Sequence, residues 1–326
     1  MRKAGLLVAA ALIATMVGVV PASDYPSRNF DMIAPAGPGG GWDTTIRMVA
    51  RVLTEQKIIT TAMPVTNRPG GGGGIALTYI QRKKGDPYTL TVFSPPLILI
   101  NLTGQSKLGY KDLTPISRLI NDFGAFGVPK ESRFSNIAEV FDAIKADPKS
   151  VKIGGTSSMG SMDHIQFLVA AKAAGVTDLK GIQYIAFQGG EGLAALMGAH
   201  VDMLSTGMAE LVGPKESGDI KVLAVTAPER VPVGPLSDVP TLHEFDIDAE
   251  YVNWRGIFGP PAMPEAEMRF MEDALKRMSE TQEWKDICVR NGWIEAYLGH
   301  EDFSKFLDEV NEENRAMLEE IGMLAK

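Results

Sequence analysis

Two glycine-rich turns are the stretches of this 326-residue chain best equipped for chemistry. They are PAGPGGGWDTT at residues 35–45 and NRPGGGGGIA at residues 67–76. Each follows a short apolar run and precedes a helical pattern. Glycine lets a ligand approach the backbone closely, and the first N–H groups of a helix have no partner inside it. Backed by the positive end of the helix dipole, such groups bind anions. Two turns of this kind in the first third of the chain point to a site for carboxylate or phosphate.

Other chemistries lack their spacing. No Gly-Lys-Ser/Thr follows either turn, which excludes a nucleotide P-loop. Gly37 and Gly39 open a G-x-G, but Trp42 occupies the third glycine position of the dinucleotide fingerprint. The cluster Thr156-Ser157-Ser158 lacks the G-x-S-x-G of a nucleophile elbow. His164, His200, His243 and His300 are scattered, and none sits in HExxH. Cys288, the single cysteine, reads as a core residue. No catalytic residue, metal or cofactor is therefore assigned.

Several side chains carry two readings each. Asp43 either caps the helix after the first turn or accepts a ligand hydroxyl or amine, since beside an anion it would repel. Trp42 is a core aromatic or a pocket wall. Ser161 caps a helix or contacts ligand. His164 reads as a structural hydrogen-bonder, because a helix N-terminus disfavours imidazolium. Arg255, between Trp254 and Gly256, is either a salt-bridge residue or a bidentate clamp for a carboxylate. Arg47 and Arg51 lie opposite the apolar stripe of their helix and read as solvated.

Alternating strands and helices must position these groups. Strands are expected at residues 30–34, 63–66 and 89–93, the last closed by Ser94-Pro95-Pro96. Ile46, Val49, Ala50 and Leu53 share one helical face, as do Ile75, Ala76, Tyr79 and Ile80. After Asp122 a second set begins: strands at 125–128, 151–153, 183–187, 201–205 and 221–226. Ser135 is the expected N-cap of a helix over 137–146, and Met162, Ile165, Leu168 and Val169 mark a helix ended by Gly175. Residues 228–240 are Pro-rich and read as a surface loop. A strand at 254–258 returns to the first unit. Phe303, Phe306, Leu307, Val310, Met317, Leu318 and Ile321 predict an amphipathic last helix. The rhythm predicts a parallel sheet with its site at the carboxyl ends of the strands.

Arg2 and Lys3, an apolar run over 4–20 and Val20-Pro21-Ala22 read as a signal peptide over residues 1–22; the alternative is a membrane anchor. An exported chain with one cysteine has no internal disulfide and relies on its core. The whole chain carries 32 basic and 40 acidic residues. Without Arg2 and Lys3 the balance is 30 against 40, a net charge near −10. No basic patch stands out, which argues against nucleic acid or an anionic membrane surface as partner. Anion capture by such a chain must come from local dipoles.

Taken together, the motifs resemble the periplasmic substrate-binding proteins of tripartite tricarboxylate transporters, the TctC/Bug family. PAGPGGGWDTTIRMVARVL and NRPGGGGGIA look like the family's first two turns. GGTSSMGSMDH is similar to its G-S-x-x-H motif, here Gly160, Ser161 and His164. AFQGGEGLAALMGAHVDM, LAVTAPER, DVPTLHEF and NWRGIFGPPAMPE resemble the later motifs in order and spacing. Ser158 and Met159 stand where small residues are usual, and Ile165 replaces a common Leu.

The resemblance implies an α/β, two-domain periplasmic binding protein of Venus-flytrap, type II-like form, with its ligand cleft between the domains. Domain 1 is expected at 23–122 plus 254–326 and domain 2 at 123–253. It implies a monomeric periplasmic receptor, not an enzyme. The ligand is a small di- or tricarboxylate such as citrate, delivered to large and small membrane transporter subunits. The expected ligand contacts in the first turn are Pro35, Gly37, Gly39, Gly40, Trp42, Asp43 and Thr44. Gly71, Gly72, Gly73, Gly74 and Ser94 follow. The second unit supplies Thr156, Ser157, Ser158, Ser161, His164, Gln188, Gly189 and Gly190, and Arg255 completes the set. A sensory module with the same binding surface and a secreted hydrolase of carboxylated esters are the competing readings.

Overall fold

The computed structural model of the protein describes residues 25–187, 190–232 and 234–325. The expected signal peptide (1–22) and the contacts expected of Gln188 and Gly189 lie outside the described residues.

Strand β1 (Asp31–Ala34) leads into α1 (Gly41–Glu55), β2 (Val65–Asn67) into α2 (Gly74–Gln81), and β3 (Thr89–Phe93) into α3 (Pro96–Leu102). On α1 the predicted face of Ile46, Val49, Ala50 and Leu53 is buried. The helix starts two residues before Asp43, with Gly40 as N-cap. Asp43 is thus a first-turn residue, not the cap, and its carboxylate accepts the Gly39 N–H at 3.0 Å. On α2 the buried face is Ala76, Leu77 and Ile80, whereas Ile75 is exposed.

The chain then runs through one long strand, β4 (Thr114–Pro129). After it come α4 (Ile137–Ala146), β5 (Lys152–Gly155), α5 (Met162–Ala173), β6 (Gln183–Ala186), α6 (Glu191–Met197), β7 (Met203–Gly207), α7 (Val212–Glu216) and β8 (Ile220–Val225). Asn136 caps α4 by accepting the Glu139 N–H at 3.0 Å. The expected cap, Ser135, instead donates through its own N–H and hydroxyl to the Glu139 carboxylate. The chain returns on β9 (Val252–Gly259) and ends with α8 (Glu265–Glu280), α9 (Gln282–Asn291), β10 (Ile294–Leu298) and α10 (His300–Glu320).

The strand order is β2-β1-β3-β9-β4-β7-β5-β6, with β8 and β10 also paired to β4. Parallel pairing holds at the two flanks, β2-β1-β3 and β7-β5-β6. The parallel sheet expected from the sequence holds only at these flanks, because β9 pairs antiparallel with both β3 and β4, and β4 antiparallel with β7. A strand that carries the chain out and one that brings it back lie side by side in opposite directions. Asp122 on β4 stands opposite Asn253 on β9, and Asn121 opposite Trp254.

Helix α10 covers β9 with its apolar stripe, as its spacing predicts. Phe303 packs edge-on to Trp254 at 5.8 Å between ring centroids. A Cβ on Gly256 would lie 2.3 Å from the Phe303 ring, so glycine is required for the contact. Each such fully buried aromatic contributes about 1.5–3 kcal/mol of burial energy.

Candidate ligand-binding site

The carboxyl ends of β1, β3 and β5 open on a common cleft. The first turn supplies Pro35, Ala36, Gly37, Gly40, Gly41 and Trp42 to its wall. The second adds Gly70, Gly72 and Gly73, and the end of β3 adds Ser94 and Pro96. Facing them are Thr156, Ser157, Ser158, Met162 and Asp163, with Glu210 just after β7 and Asn253 and Arg255 on β9.

Local sequence explains the second turn. Gly70 to Gly73 have φ of +120, +58, +61 and +97°, a left-handed run that residues with a Cβ resist. A Cβ on Gly73 would meet the Phe93 ring at 2.9 Å and Trp42 at 3.2 Å. Trp42 is a cleft wall, pinned by its indole N–H to Ser94 Oγ at 2.9 Å.

Eight expected contacts stand outside the cleft lining: Gly39, Asp43, Thr44, Gly71, Gly74, Ser161, His164 and Gly190. Asp43 is turned toward its own helix, accepting from Gly39 N, from Arg47 Nε at 2.8 Å and from Asn67 Nδ2 at 2.7 Å. Burial pushes its carboxyl up, but those bonds outweigh burial and hold it below its ordinary value. His164 Nδ1 accepts the Gly160 N–H at 3.1 Å, and its ring packs on Tyr184. Burial lowers its pKa to about 4, so the imidazole is neutral. Ser161 occupies the N-cap position of α5, but its side chain makes no capping bond. Its hydroxyl is buried without a hydrogen-bond partner among the described residues.

Arg255 lies on the cleft wall, and much of its fork is already engaged. Nη1 donates to the Gly41 carbonyl at 2.9 Å and to Thr45 Oγ1 at 2.6 Å. Nη2 donates to Asp122 Oδ2 at 2.5 Å. Both partners of this ion pair are buried. Burial pushes the Asp122 carboxyl up against the pull of Arg255 and of its backbone and Asn253 hydrogen bonds. Three of its five N–H groups are thus engaged, so a ligand meets Arg255 as a positive charge held in place by Gly41, Thr45 and Asp122.

Two acidic residues of the cleft were not expected. Asp163 is fully buried; Thr156 Oγ1 donates to its Oδ2 at 2.9 Å, while Oδ1 has no partner among the described residues. Burial and the nearby Glu210 charge raise its pKa to about 7. Glu210 accepts from Thr206 Oγ1 at 3.0 Å and, across the cleft, from the Gly41 N–H at 3.2 Å. Burial raises its pKa, opposed by Arg255. Asp163 sits inside the GSMDH motif beside His164, so a search for buried acids would have found it. Nothing local marks Glu210.

A mixed sheet in two halves, with a cleft lined by helix-terminal N–H groups and hydroxyls, is the two-domain fold of periplasmic binding proteins. The model of the tripartite tricarboxylate transporter family receptor, TctC, matches residues 46–323, and the chain belongs to that family. It is 25% identical over 328 residues to the UPF0065 protein in the gbd 5′ region of Cupriavidus necator, covering 98% of this chain and 96% of that one. Among solved structures it resembles R. palustris Rpa4515 with adipate, at TM-score 0.84 and 22% identity over 92% of this chain and 99% of that one. It also resembles MatC from Rhodopseudomonas palustris with bound malate, at TM-score 0.77 and 22% identity over 91% and 99%. The family consists of periplasmic solute-binding proteins, and the chain is a binding protein, not an enzyme.

Proposed function

We propose that the chain captures a small di- or tricarboxylate of citrate's class in the periplasm and delivers it to the large and small subunits of a tripartite tricarboxylate transporter. The observation that carries this reading is the convergence on one cleft of the α1 N-terminus and the residue 70–73 turn, opposite the hydroxyls of Thr156, Ser157 and Ser158. Backbone N–H groups at a helix start hold one carboxylate. The hydroxyls and the fixed charge of Arg255 serve a second. The adipate and malate in the two structures above are ligands of this chemistry.

In this reading the segment 1–22 directs export, and the mature chain acts as a monomer. Residues 23–122 with 254–326 form one domain and 123–253 the other. The decisive experiment is a thermal-shift screen of citrate, malate, adipate and monocarboxylates on the purified protein. A ligand at a hundred times its Kd stabilises the folded state by about 2.7 kcal/mol. A clear shift with a di- or tricarboxylate is expected; no shift with any carboxylate would remove the reading. Ester turnover in the same samples would replace it with a hydrolase.

A further inference from the structure

Four side chains, three of them on the cleft wall and Thr206 buried behind it, form an unbroken line from one acid to another. Thr156 Oγ1 lies 2.9 Å from Asp163 Oδ2 and 2.9 Å from Thr206 Oγ1, and Thr206 Oγ1 lies 3.0 Å from Glu210 Oε2. All three are hydrogen-bond distances, and each bond needs one proton. The two threonine hydroxyls hold one proton apiece, and ionised carboxylates hold none. With both acids ionised, two protons must serve three contacts. One oxygen pair would then meet lone pair to lone pair, with Asp163 and Thr206 wholly buried. A single additional proton removes the conflict. Starting from Asp163, the donors run Asp163 to Thr156 to Thr206 to Glu210; starting from Glu210, the same chain runs in reverse.

We propose that Asp163 and Glu210 share one proton through this threonine pair, and that an anionic ligand binds the cleft only in the proton-bearing state, drawing the proton from solvent when the free cleft has lost it. This deepens the carboxylate-binding reading and rests on it. A second observation points to the ligand: Asp163 lines the cleft, and its Oδ1, fully buried, has no hydrogen bond among the described residues.

The surrounding charges favour the same state. Glu210 faces Asp163, and the Tyr184 and Tyr251 phenols nearby are kept neutral by burial. The adjacent His164 is neutral as well. Arg255 and Asp122 face Glu210. Arg255 is already paired with Asp122, so its single charge offsets two ionised cleft acids only in part where a carboxylate must enter. A carboxylate pair with one member fully buried and the other half-buried resists double ionisation, and desolvation raises both members here. A bound anion adds a further like charge and raises the pair's proton affinity again. Linkage then makes binding tighter as pH falls.

The test uses the whole mature protein with malate and adipate as probes, both dianions over most of the range. Calorimetry at pH 6, 7 and 8, in buffers of different ionisation enthalpy, reads proton uptake directly. Uptake should rise toward one proton per ligand by pH 8. Affinity should fall by up to tenfold per pH unit above the midpoint of the pair. Asp163→Asn places a permanent N–H donor against Thr156 and completes the chain without a titrating proton, so its affinity should be flat with pH. Glu210→Gln does the same from the other end if the first variant fails to fold. Affinity independent of pH from 6 to 8, with no proton uptake in the unaltered protein, overturns the proposal. Carboxyl NMR of the ligand-free protein is the independent arm: one of the two acids should titrate near neutrality. Both titrating with surface carboxylates overturns the shared proton. If no carboxylate binds at any pH, the carboxylate-binding reading fails, while the NMR titration still decides the proton.

Discussion

Asp163 and His164 are adjacent residues whose titrations pull stability in opposite directions. Burial lowers His164 from 6.5 to about 4. The unfolded chain then binds the proton more tightly than the folded one. Stability from this group is present above pH 6.5 and is lost as pH falls toward 4. At about 1.4 kcal/mol per tenfold in proton affinity, the loss is roughly 3 kcal/mol. Asp163 is raised from 3.8 to about 7, so here the folded state binds the proton more tightly. Its stability is present below pH 4 and is lost as pH rises toward 7, by roughly 4 kcal/mol on the same scale. Between pH 4 and 6.5 the two slopes nearly cancel. Replacing one residue exposes the other. His164→Gln should gain stability as pH falls through this window, and Asp163→Asn should lose it, the two diverging by roughly 5 kcal/mol. Urea denaturation at half-unit pH intervals measures both against the unaltered protein, so carboxylates remote from Asp163, unlike the coupled Glu210, cancel in the difference. Parallel curves for all three proteins would show that neither group titrates as its burial dictates.

Three further outcomes follow from the same geometry. Arg255→Lys keeps a charge near Asp122 but loses the bonds to Gly41 O and Thr45, and should cost about 1.5–3 kcal/mol in urea melts; a tenfold loss of carboxylate affinity with an unchanged unfolding midpoint would instead reserve the fork for ligand. Gly73→Ala forces a Cβ onto Phe93 and Trp42 at a left-handed φ, and should lower both stability, by about 1–3 kcal/mol, and malate affinity by calorimetry. Cys288 is buried and its thiol is pushed up to about 12, so a thiol reagent should label it slowly in buffer and rapidly in urea; equal rates would contradict its burial.

How much of this was legible depended on how local the cause was. The turns at 35–45 and 67–76 announce themselves because glycine content and the helix pattern that follows lie within one window. Of the residues expected at the ligand, Pro35, Gly37, Gly40, Trp42, Gly72, Gly73, Ser94, Thr156, Ser157, Ser158 and Arg255 meet at the cleft. Strand β4 was legible only at its end, over 125–128. Its earlier part, TPISRLINDFG, contains Pro115, Asn121, Asp122 and Gly124, residues that read as a break. Asp122 is accommodated in a buried strand chiefly because Arg255 and Asn253 on β9 bond to it, the former 133 positions away in the chain. Glu210 is the same case: its partners Gly41 and Thr206 come from two different parts of the fold. Ile75 was misplaced for a smaller reason, since a period of 3.6 fixes which residues share a face but not which face meets the core.

Acids in the cleft of an acidic chain proposed to bind an anion are less paradoxical once the contacts of Gly41 are counted. Gly41 opens α1, so its N–H belongs to the group that a carboxylate seeks. In this structure Glu210 takes that N–H at 3.2 Å, while Arg255 holds the carbonyl of the same residue at 2.9 Å. The Glu210 carboxyl thus already occupies the helix start, and Arg255, tied to Asp122 on β4, keeps that end of the helix in register with the strands that join the two halves. A ligand carboxylate that takes the Gly41 N–H must release Glu210. The released carboxylate then faces the incoming charge, and its cheapest neutralisation is the proton that the Thr156–Thr206 line already accommodates. On the proposed function, exchange of one carboxyl for another at a fixed dipole, with a proton to balance the charge, would let the cleft hold a carboxylate without a surplus of basic side chains.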